Sequence, residues 1–386
     1  MRMPTRAPAR FALLFAAQFA AVGVMLPFLP AVLAAQGLAP EQVAMVLAAG
    51  WVMRLVAAPL VGRGADALGD PRLLVALGAA LAACAATGFA LAQAFGALLL
   101  VNLLYSLCMA PVVPLSDSLA LRAARQGEGR DGGFDYGRVR SAGSAAFILA
   151  AIAAGQLAAA AGVTAVVWLF AACLLATAAA GRALPPMPAA ERRRAGGAAG
   201  FLAPFRDPAF AWLLPLSALV QASHAFYYGF GTIHWQAAGL SAGVIGLLWA
   251  EGVVAEVALF LWGRRLADRL GAPGLAALAA LAGLLRWSVT ASTTWLPALA
   301  AAQALHGITF GAMHLAAMRV LARQPPERAA TAQTLHASLG PGLVSGLLTL
   351  ASGPLYASAG GAGFWAMAGL CLLALPLAWR LRRAMG

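Results

Sequence analysis

Acidic, basic and imidazole side chains interrupt the apolar stretches of this sequence, and their types and positions could do chemistry. Glu251 and Glu256 lie in one apolar stretch, Arg286 in the next and His306 in the one after that. Ionisable groups inside a bilayer are costly and normally face a cavity or a partner. A carboxyl group that alternates between holding a proton and pairing with an arginine could act as a proton switch. Glu256, Glu251, Arg286 and His306 are therefore the candidate proton-coupling residues.

The two acids are not equivalent candidates. At 100° per residue of helix, Glu251 and Glu256 project about 140° apart, so one cavity should not receive both equally. One interpretation is that an acid takes part in proton coupling with Arg286. The alternative is that Glu251 or Glu256 only neutralises Arg54 or Arg286 across a helix interface.

Aromatic and cationic residues in the same stretches form a second candidate set. An arginine can hold a carboxylate, and aromatic rings can pack against an aromatic ligand. Packing and a position at the membrane interface are the commoner roles of such rings, as hydrogen bonding inside the bundle is for histidine. The candidate substrate-binding residues are Arg286, Arg54, His224, Tyr227, Tyr228, Trp249 and Trp287.

The composition determines which elements must position these side chains. Of the 386 residues, 62% are apolar and only 10% are charged, and the mean hydropathy is +0.83. Soluble domains carry about 25% charged residues, so a soluble fold is excluded. About 20 apolar residues span a bilayer as a helix. The length therefore fits a multi-pass membrane protein of about twelve helices with short loops.

Twelve apolar runs are bounded by polar, Gly or Pro residues. The predicted spans are 11–34, 42–61, 73–92, 97–121, 138–160, 163–181, 208–233, 242–262, 273–293, 297–321, 330–356 and 363–379. The polar stretch between the sixth and seventh contains Pro185, Pro186 and Pro188 and a run of three arginines. We expect an all-α membrane protein with six-helix bundles at 1–181 and 208–386 and a cytoplasmic linker at 182–207.

The arginines predict the orientation. A net charge of +13 would suggest nucleic acid as a partner of a soluble protein, but in a membrane protein it is read loop by loop. With the N-terminus inside, all arginines except Arg54 and Arg286 fall in cytoplasmic loops, tails or adjoining helix ends. We expect a multi-pass protein of the inner (plasma) membrane with both termini cytoplasmic and no nucleic-acid partner.

The two predicted halves repeat each other. The offset between Asp66 and Asp268 also superimposes Gly69 on Gly271, Gly50 on Gly252 and Asp117 on Arg319. Two related six-helix halves are typical of repeat-built transporters. Charged residues near the predicted cytoplasmic ends are candidates for gating pairs that form and break: Asp66, Asp117, Arg138, Arg140 and Asp268. The alternative is that they are solvated loop charges.

The repeated Gly, basic and Asp pattern around Asp66 and Asp268 resembles the signature loop of the major facilitator superfamily. More narrowly, the segments 114–117 (PLSD), 135–140 (DYGRVR), 223–230 (SHAFYYGF) and 235–239 (WQAAG) resemble the 3-phenylpropionic acid transporter family. That family is similar to the lactose and nucleoside proton symporters. The resemblance covers the whole chain.

The resemblance implies two pseudo-symmetric bundles around a central cavity, rocking of the halves, coupling to the proton gradient and a monomeric protein. In lactose-type symporters an acid on span eight, an arginine on span nine and a histidine on span ten contribute to binding or coupling. Glu251 or Glu256, Arg286 and His306 occupy comparable helices here. The implied substrate is an aromatic carboxylate such as 3-phenylpropionate, with a sugar or nucleoside as the alternative.

Other kinds of activity lack a matching motif. The sequence contains no HExxH or Cys/His cluster for a metal, no Walker A motif and no matched set of nucleophile and base, so we expect neither a cofactor nor an enzyme. A passive channel would not require gating loops in both halves. The expected partners are a small-molecule substrate, a proton and the lipid bilayer. A carboxylate substrate requires that Arg286 or Arg54 is not already paired with a carboxylate.

Overall fold

The computed structural model describes residues 7–68, 70–127, 134–186 and 202–386. Long helices dominate these ranges, and none of their residues is in a β-strand. The helices before the linker are α1 (Ala7–Ala35), α2 (Pro40–Leu68), α3 (Pro71–Leu91), α4 (Phe95–Met109), α5 (Val112–Gly127), α6 (Tyr136–Ala161) and α7 (Val166–Arg182). Those after it are α8 (Pro208–Ala222), α9 (Ala225–Ala237), α10 (Ala242–Trp262), α11 (Arg264–Ser292), α12 (Leu296–Ala304), α13 (Met313–Leu321), α14 (Pro326–Ala337), α15 (Val344–Ala359) and α16 (Phe364–Met385).

The helices coincide with the predicted spans. Ten helical stretches among the described residues are long and apolar enough to cross a membrane, and the last of them, Thr331–Met385, contains both the eleventh and the twelfth predicted spans. Helix α2 covers the second predicted span. Each predicted span therefore coincides with one or two helices, and the prediction of an all-α membrane protein is confirmed.

Several spans consist of two helices because the helix is locally broken. Pro111 separates α4 from α5, since proline has no backbone N–H to donate to the helix, although Ala110 before it keeps helical dihedral angles. Ser223 and His224 separate α8 from α9. Two π-helical segments, Gly307–Ala312 and Ser338–Leu343, interrupt the tenth and eleventh spans.

The loops predicted after the second and eighth spans are largely helical, which corrects that expectation. Helix α2 continues to Leu68, and α11 already begins at Arg264. The break in α11 comes at Gly271, whose φ of 61° lies in the left-handed region that glycine adopts without a steric penalty. Pro273 follows this break and begins the membrane-crossing part of the helix.

The start of α3 illustrates how a carboxylate and an arginine pair in this protein. Asp70 caps the helix by accepting the backbone N–H of Arg72 at 3.0 Å. Its carboxylate also accepts the Nε (3.0 Å) and Nη2 (2.7 Å) protons of the same guanidinium. Hydrogen bonding to Arg72 lowers the pKa of the Asp70 carboxyl group.

The chain forms two compact units. The first comprises Met1–Glu191 with Leu240–Ala250, and the second comprises Arg192–Gly239 with Glu251–Gly386. The division passes through α10, between Ala250 and Glu251. The predicted boundaries at 182 and 207 stay a prediction.

Glycines allow close helix contacts in the first unit. A Cβ on Gly23 of α1 would lie 2.5 Å from the carbonyl oxygen of Phe147 in α6. A Cβ on Gly246 of α10 would lie 2.5 Å from the carbonyl oxygen of Ala151, and Gly155 is the glycine that faces it. Backbones approach this closely only where side chains are minimal, as is common between membrane helices.

The core of the second unit is built largely from alanine. Helices α8, α11, α13 and α16 contribute most of its buried residues. Small side chains let these helices pack closely, and a Cβ on Gly283 of α11 would lie 2.5 Å from Sγ of Cys371. This packing holds in place the helix that carries Arg286.

We predict that Gly23→Ala destabilises the protein in detergent by about 1–3 kcal/mol, because the new methyl group must push α1 away from α6. Gly369→Ala is the matched control, since a Cβ at Gly369 in α16 meets nothing within 4 Å. The measurement is the thermal unfolding midpoint of both purified variants. Equal midpoints for the two variants would contradict the contact.

Candidate substrate and proton site

Arg286, on α11, is the centre of a buried polar cluster in the second unit. Its side chain is 0% exposed. Nη1 bonds to Nδ1 of His306 at 3.0 Å and to Oγ1 of Thr309 at 3.2 Å. Nη2 donates to Oε1 of Gln303 at 2.7 Å. Three acceptors from one span, the tenth, therefore hold the guanidinium.

Two neighbouring aromatic rings lie beside the guanidinium. Its Cζ lies 4.4 Å from the ring centroid of Trp287 and 5.0 Å from that of Tyr227, which is cation–π geometry. Each ring is fixed by a hydrogen bond: Nε2 of Gln303 donates to the Tyr227 hydroxyl at 2.7 Å, and Nε1 of Trp287 donates to Oγ of Ser223 at 2.9 Å. The aromatic surface beside the cation is therefore well ordered.

The bonding partners determine the tautomer of His306. An arginine only donates hydrogen bonds, so Nδ1 of His306 must accept from Arg286 and cannot carry a proton. The ring proton is then on Nε2, which lies 4.0 Å from Oε2 of Glu256. His306 thus connects the cation on α11 with the acid on α10, and it does so as a neutral ring.

His224 is oriented in the opposite sense. Its Nδ1 lies 3.1 Å from the backbone carbonyl oxygen of Gln221, which can only accept, so Nδ1 is the donor. Nε2 lies 3.2 Å from Oγ1 of Thr309. The Thr309 hydroxyl carries a single proton and lies 3.2 Å both from Nε2 of His224 and from the backbone carbonyl oxygen of His306.

Local backbone features bring these side chains together. The π-helical segment Gly307–Ala312 directly follows His306, and π-bulges are frequent at functional sites. A Cβ on Gly307 would collide with the backbone of Ala255 in α10, and a Cβ on Gly252 would lie 3.3 Å from Cβ of His306. The two glycines let α10 approach the tenth span, which places Glu256 beside His306.

The positive charge of Arg286 is bonded only to neutral groups among the described residues. Among the residues that the structure describes, no carboxylate bonds to this guanidinium, and its buried Nε has no hydrogen-bond partner. A buried charge is costly unless it is paired with an opposite charge and hydrogen-bonded. The charge of Arg286 is therefore not balanced by a bonded carboxylate within the described part of the chain.

The two candidate acids differ in their surroundings. The Glu256 side chain is 20% exposed and faces His306. Glu251 is partly buried on α10 and makes no ion pair within the described ranges. Of the two acids, only Glu256 lies within ion-pair distance of a described member of the Arg286 cluster, at 4.0 Å from His306.

The remaining candidate binding residues lie at or outside the cluster. The partly buried ring of Tyr228 has its centroid 5.7 Å from that of His224. Trp249 is buried on the part of α10 that belongs to the first unit. Arg54, also in the first unit, is exposed, and its guanidinium lies 5.4 Å from the ring centroid of Trp51.

The candidate gating residues form ion pairs within each unit. In the second unit, Asp268 pairs with Nη2 of Arg319 at 2.5 Å and with Nε of Arg264 at 3.8 Å. The predicted repeat matches Arg319 with Asp117, and in the first unit Asp117 lies 3.4 Å from Nε of Arg140. The Asp117 carboxylate also accepts the Tyr136 hydroxyl at 2.9 Å.

The other two gating candidates contribute less. Arg138 is exposed, and its backbone N–H is bonded to the helix-capping Asp135 at 2.7 Å. Arg140 is more enclosed, with its Cζ 3.9 Å from the ring centroid of Phe19. The side chain of Asp66 lies outside the described residues.

Sequence reasoning did not identify Gln303 and Thr309, although each bonds directly to Arg286. Both are polar and buried within an apolar span. The sequence signal is the same one that points to His306, a polar side chain within an apolar span, but Gln303 and Thr309 are neither ionisable nor aromatic.

Comparison with known proteins decides the family. The family model described as the MFS_1 like family matches residues 9–367. The chain belongs to this family of major facilitator transporters. A protein of Escherichia coli (strain K12) named "Probable 3-phenylpropionic acid transporter" is 35% identical over 93% of each chain. The maltose permease of Geobacillus stearothermophilus is 29% identical over 80% of this chain and 78% of its own.

Solved structures confirm the fold. The nucleoside transporter NupG is 17% identical and covers 98% of this chain and 99% of its own with a TM-score of 0.83. A bacterial homologue of the lysosomal transporter Spinster, at 14% identity, covers 100% and 98% with a TM-score of 0.74. The protein is thus a multi-pass inner-membrane transporter with the major facilitator fold, and it is not an enzyme.

We predict that Gly307→Ala costs about 1–3 kcal/mol of stability, because its methyl group meets the backbone of α10. Gly252→Ala should cost less, since the contact with His306 is longer and involves a side chain. Thermal unfolding of both variants in detergent measures the difference. The reverse order of stabilities would contradict the proximity of α10 to the tenth span.

Proposed function

We propose that this transporter is a proton-coupled symporter of a small aromatic carboxylate such as 3-phenylpropionate. The observation that carries the proposal is the buried Arg286, which has only neutral acceptors among the described residues and lies beside the rings of Tyr227 and Trp287. The name of the 35% identical relative supports the same substrate.

The substrate carboxylate binds at Arg286. Charge-assisted bonds between an arginine and a carboxylate are about twice as strong as neutral ones, and they can be bidentate. Tyr227 and Trp287 lie beside the guanidinium, so the ring of a short aromatic acid is placed near them. The apolar part of the ligand then gains aromatic contacts, while its charge compensates the buried cation.

Charge balance links the substrate to the proton. With Glu256 ionised, the cluster carries one positive and one negative charge. Binding an anionic substrate adds a negative charge, and protonation of Glu256 removes one, so the two ligands favour each other's binding. Allosteric coupling of this kind is typically about 1–3 kcal/mol and is reciprocal. His306 transmits the coupling because it contacts both Arg286 and Glu256.

Alternating access follows from the fold. We infer that the predicted halves 1–181 and 208–386 rock about the binding site and that both termini are cytoplasmic, as the arginine distribution indicates. The pairs Asp117–Arg140 and Asp268–Arg319 are the proposed gating contacts, together with Asp66 and Arg138. The transporter works as a monomer in this proposal.

The proposal is tested by uptake of labelled 3-phenylpropionate into proteoliposomes with an imposed inward proton gradient. We expect accumulation that a protonophore abolishes and that Arg286→Gln eliminates. An absence of uptake by folded wild-type protein would contradict the proposed substrate. Maltose and a nucleoside, tried in the same vesicles, would then become the leading substrates, because the maltose permease is 29% identical.

Substitution of the acids tests the coupling. Glu256→Gln mimics the protonated carboxyl group, so we expect it to abolish gradient-driven accumulation but to retain exchange of labelled for unlabelled substrate. Glu251→Gln on the same helix is the matched control and should still accumulate substrate. The opposite pattern would transfer the coupling role to Glu251, and accumulation by both variants would exclude these acids from coupling.

A further inference from the structure

One edge of the Arg286 guanidinium has two donor nitrogens, and only one of them has a hydrogen-bond acceptor. The edge is formed by Nε and Nη2, which point to the same side and together fit the two oxygens of a carboxylate. Nη2 donates to Oε1 of Gln303, whereas Nε is buried without a partner. An amide supplies a single acceptor oxygen, so Gln303 leaves the second donor of this edge unused.

The same edge of another arginine shows what it accepts when a carboxylate is present. Nε and Nη2 of Arg72 bond to the two oxygens of Asp70 at 3.0 and 2.7 Å. The Nη2 distance equals that between Arg286 and Gln303. The Gln303 oxygen thus lies as close to Nη2 of Arg286 as a carboxylate oxygen lies to Nη2 of Arg72, and the acceptor position at Nε of Arg286 is unfilled.

We propose that Gln303 occupies the place of the substrate carboxylate and is displaced by it, which makes Gln303 a specificity-determining residue. The proposal rests on the proposed transport of a carboxylate. A ligand must offer two acceptor oxygens to gain more at this edge than Gln303 already provides. Carboxylates meet this condition, whereas amides and alcohols of the same shape do not.

Displacement costs Gln303 little because the residue has another bond. Its Nε2 donates to the Tyr227 hydroxyl at 2.7 Å, so the amide can remain attached to Tyr227 after its oxygen leaves Arg286. The buried Nε of Arg286 gains its missing acceptor at the same time. Substrate binding thus replaces one neutral acceptor oxygen with the two oxygens of one carboxylate, which share a negative charge.

Gln303→Glu tests this inference without depending on the substrate. The introduced carboxylate should fill both donors of the Arg286 edge and still bond to the Tyr227 hydroxyl, which can donate as well as accept. We expect the unfolding midpoint of the substrate-free protein to rise by about 3 °C. Gln36→Glu is the matched control, because Gln36 is a part-buried glutamine bonded to a backbone carbonyl in the first unit; its midpoint should not rise.

The affinity for 3-phenylpropionate provides the second readout, measured by calorimetry on the purified protein. The Gln303→Glu variant should bind at least about tenfold more weakly, because the internal carboxylate is not displaced. The wild type should bind 3-phenylpropionate much more tightly than 3-phenylpropionamide. A variant that is less stable than the wild type, or that binds the acid equally well, would overturn the role of Gln303.

The two proposals fail in different ways. If Gln303→Glu is stabilised but the wild type does not bind 3-phenylpropionate, the proposed substrate is wrong. The fit of a carboxylate to the Nε and Nη2 edge of Arg286 is then still supported. If the wild type takes up 3-phenylpropionate with protons but Gln303→Glu binds this acid with unchanged affinity, the displacement of Gln303 is wrong. The proposed function is then still supported.

Discussion

The burial of one guanidinium without a carboxylate partner is the constraint on which the site depends. A charge removed from water must be compensated, and around Arg286 the described part of the protein supplies only neutral acceptors and ring faces. These groups stabilise the cation partially. The remaining imbalance is the physical basis of the anion binding proposed above. It also explains why several polar side chains bond to this one guanidinium inside an apolar bundle.

The rest of the cluster serves to keep the cation in one geometry. Arg286 determines where the proton of His306 resides, and His306 in turn presents an N–H to Glu256. The positions of these side chains depend on two glycines, Gly252 and Gly307, which are chemically inert. Close helix packing is thus the structural condition for electrostatic communication between α10 and α11.

The spans and several site residues could be predicted because apolar runs, and the ionisable residues within them, are visible in the sequence. Glu251, Glu256, Arg286 and His306 are predicted from their ionisable side chains in apolar spans and from the family resemblance, and the structure brings the last three together. Gln303 is also a polar side chain in an apolar span, but the sequence does not show that its partner is Arg286. The contact between Gly307 and α10 and the helical nature of the expected loops depend on tertiary packing, which a single sequence does not reveal.

The π-helical segment after His306 has a geometric consequence for the tenth span. A π-turn holds more residues than an α-turn, so its conversion to α-helix would rotate α13 relative to His306 by roughly one residue, or 100°. Arg319 lies on α13 and pairs with Asp268, whereas His306 lies before the segment and contacts Arg286. The winding of a single turn therefore determines the rotation of Arg319, at the charged end of the span, relative to His306 in the Arg286 cluster.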